Sequence, residues 1–302
     1  MNNVRKLLGI DKLHEKGIRG KGVTVAIIDT GVSGIHPDLT ENIIASYDGV
    51  NGKSTVYDDN GHGTHVAGII AGTGKVSGGE YRGIAPEASI VVVKALNRSG
   101  RGRTNIAVDC IKWVLDNAKK YNIRIVNISI GTVAKSAGEE YDNHQLIYWV
   151  ERMWEAGMVV VVAAGNNGPG NGTVTVPGIS KKVITVGVAE ANSNYSLHSG
   201  GRKSYSGRGP ADCVMKPEIV APGVGIISCS TRGNGYAAKS GSSMATPIVT
   251  GVITLILSVR PHLTNKEVKK ILMETAVDLN HDKQSQGWGR ISTDFFWKFV
   301  KG

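Results

Sequence analysis

The chain has 302 residues, 41% hydrophobic and 20% charged, which is ordinary for a soluble globular protein and long enough for one large domain or two small ones. Lys and Arg outnumber Asp and Glu by 35 to 25, for a formal net charge of +10. The basic residues are scattered, with 98–103 the densest run and no aromatic-studded motif or zinc spacing beside them, so the surplus reads as a solvated basic surface and no nucleic-acid partner is expected.

In chain order, the first 22 residues hold no apolar run long enough for a secretory signal. Residues 23–29 are a buried strand that closes on the carboxylate of Asp29. His62-Gly63-Thr64-His65 opens a helix with two histidines three apart. A strand is predicted over 89–96, a helix over 104–120, a strand over 123–130, a helix over 144–156, and strands over 158–164 and 183–188. Ser240-Gly241-Ser242-Ser243 marks a turn before an apolar helix with Pro247 in its first turns. The apolar stretch 248–259 is about twelve residues with polar interruptions, short of the roughly twenty that span a bilayer, so no membrane partner is expected. Thr264 to Glu267 spells a capping box, opening a helix that runs to about residue 276.

Apolar strands alternating with helices require crossover connections. They predict an α/β fold of three layers, a mostly parallel central sheet covered by helices on both faces. No repeat, linker or composition shift marks a second domain. The chain is read as one domain over 1–302, with an N-terminal segment 1–19, a core 20–290 and a tail 291–302. Ligands of such sheets bind beyond the carboxyl ends of the strands, where Asp29, Ser129, Gly131 and Asn166 fall. Cys110, Cys213 and Cys229 are odd in number and far apart, which argues against a disulfide framework and for reduced thiols.

Taken singly, the chemical segments have plain explanations. Asp29 can form a turn, and Ser243 can cap a helix. His62 and His65 can be a metal pair, although the flanking glycines and the absence of an HExxH pattern or a third ligand argue against zinc. Together they supply what nucleophilic catalysis needs: a hydroxyl, an imidazole to take its proton, and a carboxylate to hold the imidazole in one tautomer. The order Asp29, His62, Ser243 is that of the subtilases and not of other serine hydrolase folds. The sequence resembles the subtilase family over residues 20–290.

That resemblance implies a subtilisin-like serine endopeptidase acting on polypeptides, with Asp29 the orienting carboxylate, His62 the general base and then acid, and Ser243 the nucleophile. Ser242 stands where the family more often has Thr. Ala163-Ala164-Gly165-Asn166 resembles the oxyanion segment, which makes the Asn166 amide one donor and the Ser243 N–H the second. Ser129-Ile130-Gly131 resembles the strand that pairs with substrate, and Ser99-Gly100-Arg101-Gly102 the strand facing it. Ala163, Ala164 and Gly165 are placed on one wall of the primary pocket. Thr175 is placed at its base, where many relatives have Gly, so a shallow pocket is expected. His65 is assigned a structural role on the helix facing the sheet.

Two departures from the family carry expectations of their own. Residues 72–83 stand where secreted members carry an Asn-rich calcium loop, yet they offer one carboxylate and a Lys. Calcium takes six to eight oxygen ligands, so the strong site is read as unbuilt and no cofactor as required. Asp38 matches the family's calcium aspartate and is kept as a weak calcium candidate. Only 28 residues precede Asp29, where a pro-region is usual, so a propeptide or inhibitor partner stays unassigned. The missing signal, the thiols and the stretches 81–86, 121–131 and 177–180 resemble the intracellular, AprX-like branch. They imply a cytoplasmic location, with a secreted, mature form lacking its leader as the alternative.

Overall fold

The computed structural model describes residues 1–131, 137–189, 206–209 and 215–299. Two short helices, α1 (Asn2–Leu7) and α2 (Ile10–Glu15), precede β1 (Thr24–Asp29), β2 (Ile43–Asp48), α3 (His62–Ala71) and β3 (Ser89–Lys94). Next come α4 (Thr104–Asn117), β4 (Ile123–Ile128), α5 (Ala137–Glu155), β5 (Val159–Ala163), β6 (Ile184–Val188) and β7 (Ile219–Ala221). A hairpin of β8 (Ile226–Cys229) and β9 (Tyr236–Lys239) leads into α6 (Ser242–Val259), followed by α7 (Asn265–Glu274), α8 (Lys283–Gln286) and α9 (Asp294–Phe299).

The seven strands of the main sheet pair in parallel, in the order β2-β3-β1-β4-β5-β6-β7. All residues of β1, β5 and β6 are buried, as a sheet covered on both faces demands. Helices α3 and α6 pack on each other over one face, and α4 and α5 over the other. The three-layer α/β architecture expected from the alternation of strands and helices is thus present. The five strands read from sequence appear within two residues of their expected ends. Strand β2 escaped that reading because it is a sheet edge with only its last residue buried, and β7 because it has three residues. The helix expected over 144–156 starts earlier, at Ala137.

Both chain ends join the same core: Met1, Ile10, Leu13 and Phe296 belong to one cluster with the sheet. Helix α6 is longer than its apolar stretch suggested. Its 18 residues would pass for a membrane span by length and composition, yet 83% of them are buried inside the protein. The hydroxyls of Thr246 and Thr254 fit that apolar setting by donating to the carbonyls of Ser242 and Thr250, one turn back. Gly251 lets α6 lie against Ile84, whose Cβ would stand 2.5 Å from any Cβ added there. At α7 the capping box forms as read. Thr264 Oγ1 accepts from the Glu267 N–H at 3.2 Å, and Glu267 accepts from the Thr264 N–H at 2.8 Å.

The loop 72–83 is closed by a cation from the far end of the chain. Arg5 on α1 is almost wholly buried, and its guanidinium donates to the carbonyls of Gly79 at 3.1 Å, Glu80 at 3.0 Å and Arg82 at 2.6 Å. Its Nε pairs with Asp11 at 2.7 Å. Carbonyl oxygens turned inward on such a loop need donors, and here a charged side chain provides them. Replacing Arg5 with Met keeps the stem but strands three carbonyls. Arg5→Met is expected to lower unfolding free energy by about 2–4 kcal/mol in urea titration, with the fold otherwise retained.

Candidate active site

The chain leaves β1 towards β2 and β3 and then crosses to β4 on the other side. The carboxyl ends of β1 and β4 therefore border the point where strand order reverses, the usual place for a site in an open α/β sheet. Asp29 closes β1 with a buried carboxylate, which accepts from the Thr30 N–H at 2.7 Å. His62 opens α3, and its Nδ1–H donates to Asp29 at 2.8 Å from Oδ1 and 3.0 Å from Oδ2. A carboxylate can only accept, so the proton sits on Nδ1 and Nε2 keeps its lone pair. This approach requires glycine at position 63, where an added Cβ would lie 2.0 Å from the Gly31 carbonyl oxygen.

Burial disfavours the charged imidazole, but the charge and hydrogen bond of Asp29 outweigh it and raise His62 above its ordinary 6.5. Lys239 opposes that rise and Asp58 adds to it. Asp58 was missed from sequence. Its carboxylate accepts from the N–H groups of Asn60 at 3.0 Å, Gly61 at 2.8 Å and Thr64 at 3.0 Å. It also accepts the hydroxyls of Thr30 at 2.9 Å and Thr64 at 2.6 Å. The turn that presents His62 is thus wound around one carboxylate, with the left-handed Gly61 (φ 92°) at its exit. The run Asp58-Asp59-Asn60-Gly61 is the signal that could have revealed it, since Asx residues before a helix collect N–H groups.

Ser243 lies in the first turn of α6, just past Gly241. Its hydroxyl donates to the Ser129 carbonyl at 2.8 Å and not to His62, although both residues line one cavity of 340 Å³. To meet His62 Nε2 the hydroxyl would first have to leave the Ser129 carbonyl. A polar chain holds that resting place: the Thr250 hydroxyl of α6 donates to Asn127 at 2.8 Å, and the Asn127 amide donates to Ser129 Oγ at 2.9 Å. A buried Asn inside an apolar strand is the signal that sequence reading passed over.

Asn166 also lines the cavity, and its Oδ1 accepts from the Ser242 N–H at 3.0 Å. Because that N–H can only donate, the amide orientation is fixed with Nδ2 as the remaining donor. The N–H of Ser243, in the first turn of a helix, has no intrahelical partner either.

Ser129, Ile130, Gly131, Gly100, Ala163, Gly165 and Thr175 face the same cavity. Thr175 fills the space between two bare walls, its Oγ1 lying 2.2 Å from where a Cβ on Gly131 would be and 2.6 Å from one on Gly165. Among the described residues that hydroxyl has no hydrogen-bond partner. Two expected residues do not line the cavity. Ala164 is fully buried just past the end of β5, while Ala163 and the left-handed Gly165 (φ 85°) take the cavity side. Gly102 lies back against Leu96 and Ala95, where a Cβ would meet Leu96 Cδ2 at 2.6 Å. The segment expected as a facing strand is a turn over 98–100, closed by Asn97 Oδ1, which accepts from the Ser99 and Arg101 N–H groups. Thr30, Asn60, Leu96, Asn167 and Ser242 complete the lining without having been expected.

His65 does not join His62. Buried against the β8–β9 hairpin, its Nε2 faces the carbonyls of Ile226 at 3.0 Å and Ala237 at 2.9 Å, and burial pushes it down to about 3. Among the described residues, His36, Asp38 and Cys229 bring possible metal-ligand atoms within 4.8 Å of one another. Those atoms already have partners. Asp38 accepts from the Val76 N–H at 2.9 Å and the Tyr236 hydroxyl at 2.6 Å, the Cys229 thiol lies 3.9 Å from it, and His36 Nδ1 accepts from the Asp38 N–H at 3.1 Å. Cys110 and Cys229 are free and buried, burial pushing Cys110 up to about 12, while Cys213 lies outside the described residues.

A fold of this topology with these groups at the end of β1 and the start of α3 and α6 defines a class, and the subtilase family profile matches residues 20–289. The chain belongs to the subtilase family. It is similar to Serine protease AprX of Bacillus subtilis (strain 168), 45% identical over 276 residues, covering 84% of this chain and 61% of that protein. It is also similar to Subtilisin DY of Bacillus licheniformis, 35% identical over 290 residues and 95% of each chain. Among solved structures, Sphericase superposes with a TM-score of 0.79 at 30% identity, over 91% of this chain and 92% of its own. A cold adapted subtilisin-like serine proteinase gives 0.70 at 30% identity, over 91% and 88%.

Asp58→Ala would leave five donors around the His62 turn without their acceptor. Thermal and urea unfolding should show a loss of about 2–4 kcal/mol, and the low-field proton resonance of the His62–Asp29 hydrogen bond should broaden or vanish. An unchanged resonance would show that the turn is held by other means.

Proposed function

We propose that the protein is a serine endopeptidase that hydrolyses polypeptides through an acyl-enzyme, with Asp29, His62 and Ser243 as its triad. The observation that carries this reading is the His62 ring held on both oxygens of Asp29, with Ser243 and Asn166 on the same cavity. In the first step Ser243 Oγ attacks the scissile carbonyl carbon while its proton passes to His62 Nε2. The carbonyl oxygen becomes an oxyanion, met by Asn166 Nδ2–H and the Ser243 N–H. His62 then returns the proton to the leaving amine, and water repeats the sequence on the acyl-enzyme. Asp29 stays ionised and stabilises the imidazolium.

The substrate strand docks on Ser129–Gly131 in this reading, with the P1 side chain between Gly131 and Gly165. Thr175 closes that space, so small apolar P1 residues are favoured over Phe and Tyr. No metal is required in this reading. Asp38 already accepts two protein donors, and Arg5 supplies donors to the 79–82 carbonyls.

Peptide hydrolysis with Ser243→Ala and Asn166→Ala tests the assignment. The first should abolish turnover and labelling by phenylmethylsulfonyl fluoride, and the second should lower kcat by about 10²–10³, typical for loss of one such donor in this class of enzyme. Because the general base must be neutral and His62 is raised above 6.5, kcat/KM should rise with pH through a midpoint above 6.5. Full activity in Ser243→Ala, or a rate flat from pH 5 to 8, would remove the proposal. A P1 series in which Phe or Tyr clearly beats Ala and Val would remove the assignment of Thr175 alone.

A further inference from the structure

Opposite the Asp58 carboxylate, the His62 turn is held by a cation from a separate element. Strand β9 runs antiparallel to β8 with Lys239 across from Ile226, and the chain then turns through Ser240 and Gly241 into Ser243. Lys239 is half-buried, and its Nζ donates to the Gly61 carbonyl at 3.0 Å, the residue immediately before His62. Gly61 is therefore gripped at both ends, its N–H by Asp58 and its carbonyl by Lys239.

Among the described residues, the charged groups that face His62 are few. Asp29 comes from β1, Asp58 from the turn, Lys239 from β9, and His65 from its own helix, the last kept neutral by burial. Two anions favour the imidazolium and one cation opposes it. Without the cation, the base would hold its proton to higher pH and fall silent in mildly acidic conditions. Lys239 itself is lowered by burial and raised by Asp58 and Asp29, as expected of an ammonium set among the same groups.

We propose that Lys239 is a positioning residue of this active site: anchored on the Gly61 carbonyl, its ammonium holds the turn that presents His62 and biases the resting imidazole towards its neutral, proton-accepting form. This rests on the reading of His62 as the general base. The strand that delivers the nucleophile thus also delivers the charge that keeps the base available.

The test is the pH dependence of kcat/KM for wild type, Lys239→Met and Lys239→Arg on one peptide, with folding followed by thermal melting. Lys239→Met should move the acid-limb midpoint up by roughly 0.5–1 pH unit, the size expected of one partly screened unit charge. Below the midpoint that is a three- to ten-fold loss, with a smaller change on the alkaline plateau. Lys239→Arg, which keeps the charge, should leave the midpoint near wild type. If Lys239→Met does not fold, Lys239→Gln makes the same comparison. A midpoint equal to wild type in the uncharged variant overturns the proposal, as does an equal rise in both Lys239→Met and Lys239→Arg, because charge would then not be the cause. A wild type with no acid limb at all, or an active Ser243→Ala, overturns the underlying reading of the triad instead.

Discussion

The contact between the Asp29 carboxylate and the His62 ring joins the end of β1, an interior strand, to the start of a helix on one face of the sheet. Everything near the site is arranged to permit it. Gly63 is bare because the Gly31 carbonyl lies where its Cβ would be, and Gly61 takes a left-handed conformation so that the helix can begin there. Asp58 binds the turn from inside by collecting N–H groups and hydroxyls that would otherwise be stranded at a helix start. The pair is then buried deeply enough that charge on one member governs the state of the other.

Buried or half-buried cations form a second theme. Arg5 gathers three carbonyls of the 79–82 loop, and Lys94 gathers those of Thr30 at 2.6 Å and Leu96 at 2.9 Å while pairing with Asp59 at 2.7 Å. Lys239 takes the carbonyl of Gly61. Loops around a cleft turn many carbonyl oxygens inward with no strand to receive them. A charged donor satisfies such oxygens more strongly than a neutral one, and a long side chain can bring it from elsewhere in the chain. Two of these cations stand beside the residue after Asp29 and the residue before His62, and one of them, Lys239, also bears on the charge of His62.

Legibility differed from residue to residue. Asp29, His62, Ser243 and Asn166 stood out because glycines and strand ends punctuate the chain around them, and those markers survive in a linear string. Asp58, Lys239 and Asn127 did not, since an Asp in a polar run, a Lys in a short hairpin and an Asn in an apolar strand each look ordinary alone. Ala164 and Gly102 were placed on the cavity by resemblance, and the chain's turn after β5 and the packing of Gly102 against Leu96 put them elsewhere. Thr175 could be assigned to the pocket by resemblance. Its fit between Gly131 and Gly165 required three segments to be seen together.

By itself the sequence determined the alternation of strands and helices, hence a parallel sheet with both faces covered. It also determined which strand ends carry reactive side chains, because period and punctuation are local properties. Only the tertiary structure decided which distant groups touch: that a hydroxyl rests on the Ser129 carbonyl, that Arg5 reaches residues 79–82, and that Lys239 reaches Gly61. Those contacts depend on distances of a few ångströms between segments far apart in the chain. Such distances are set by how whole layers pack, which no window of neighbouring residues contains.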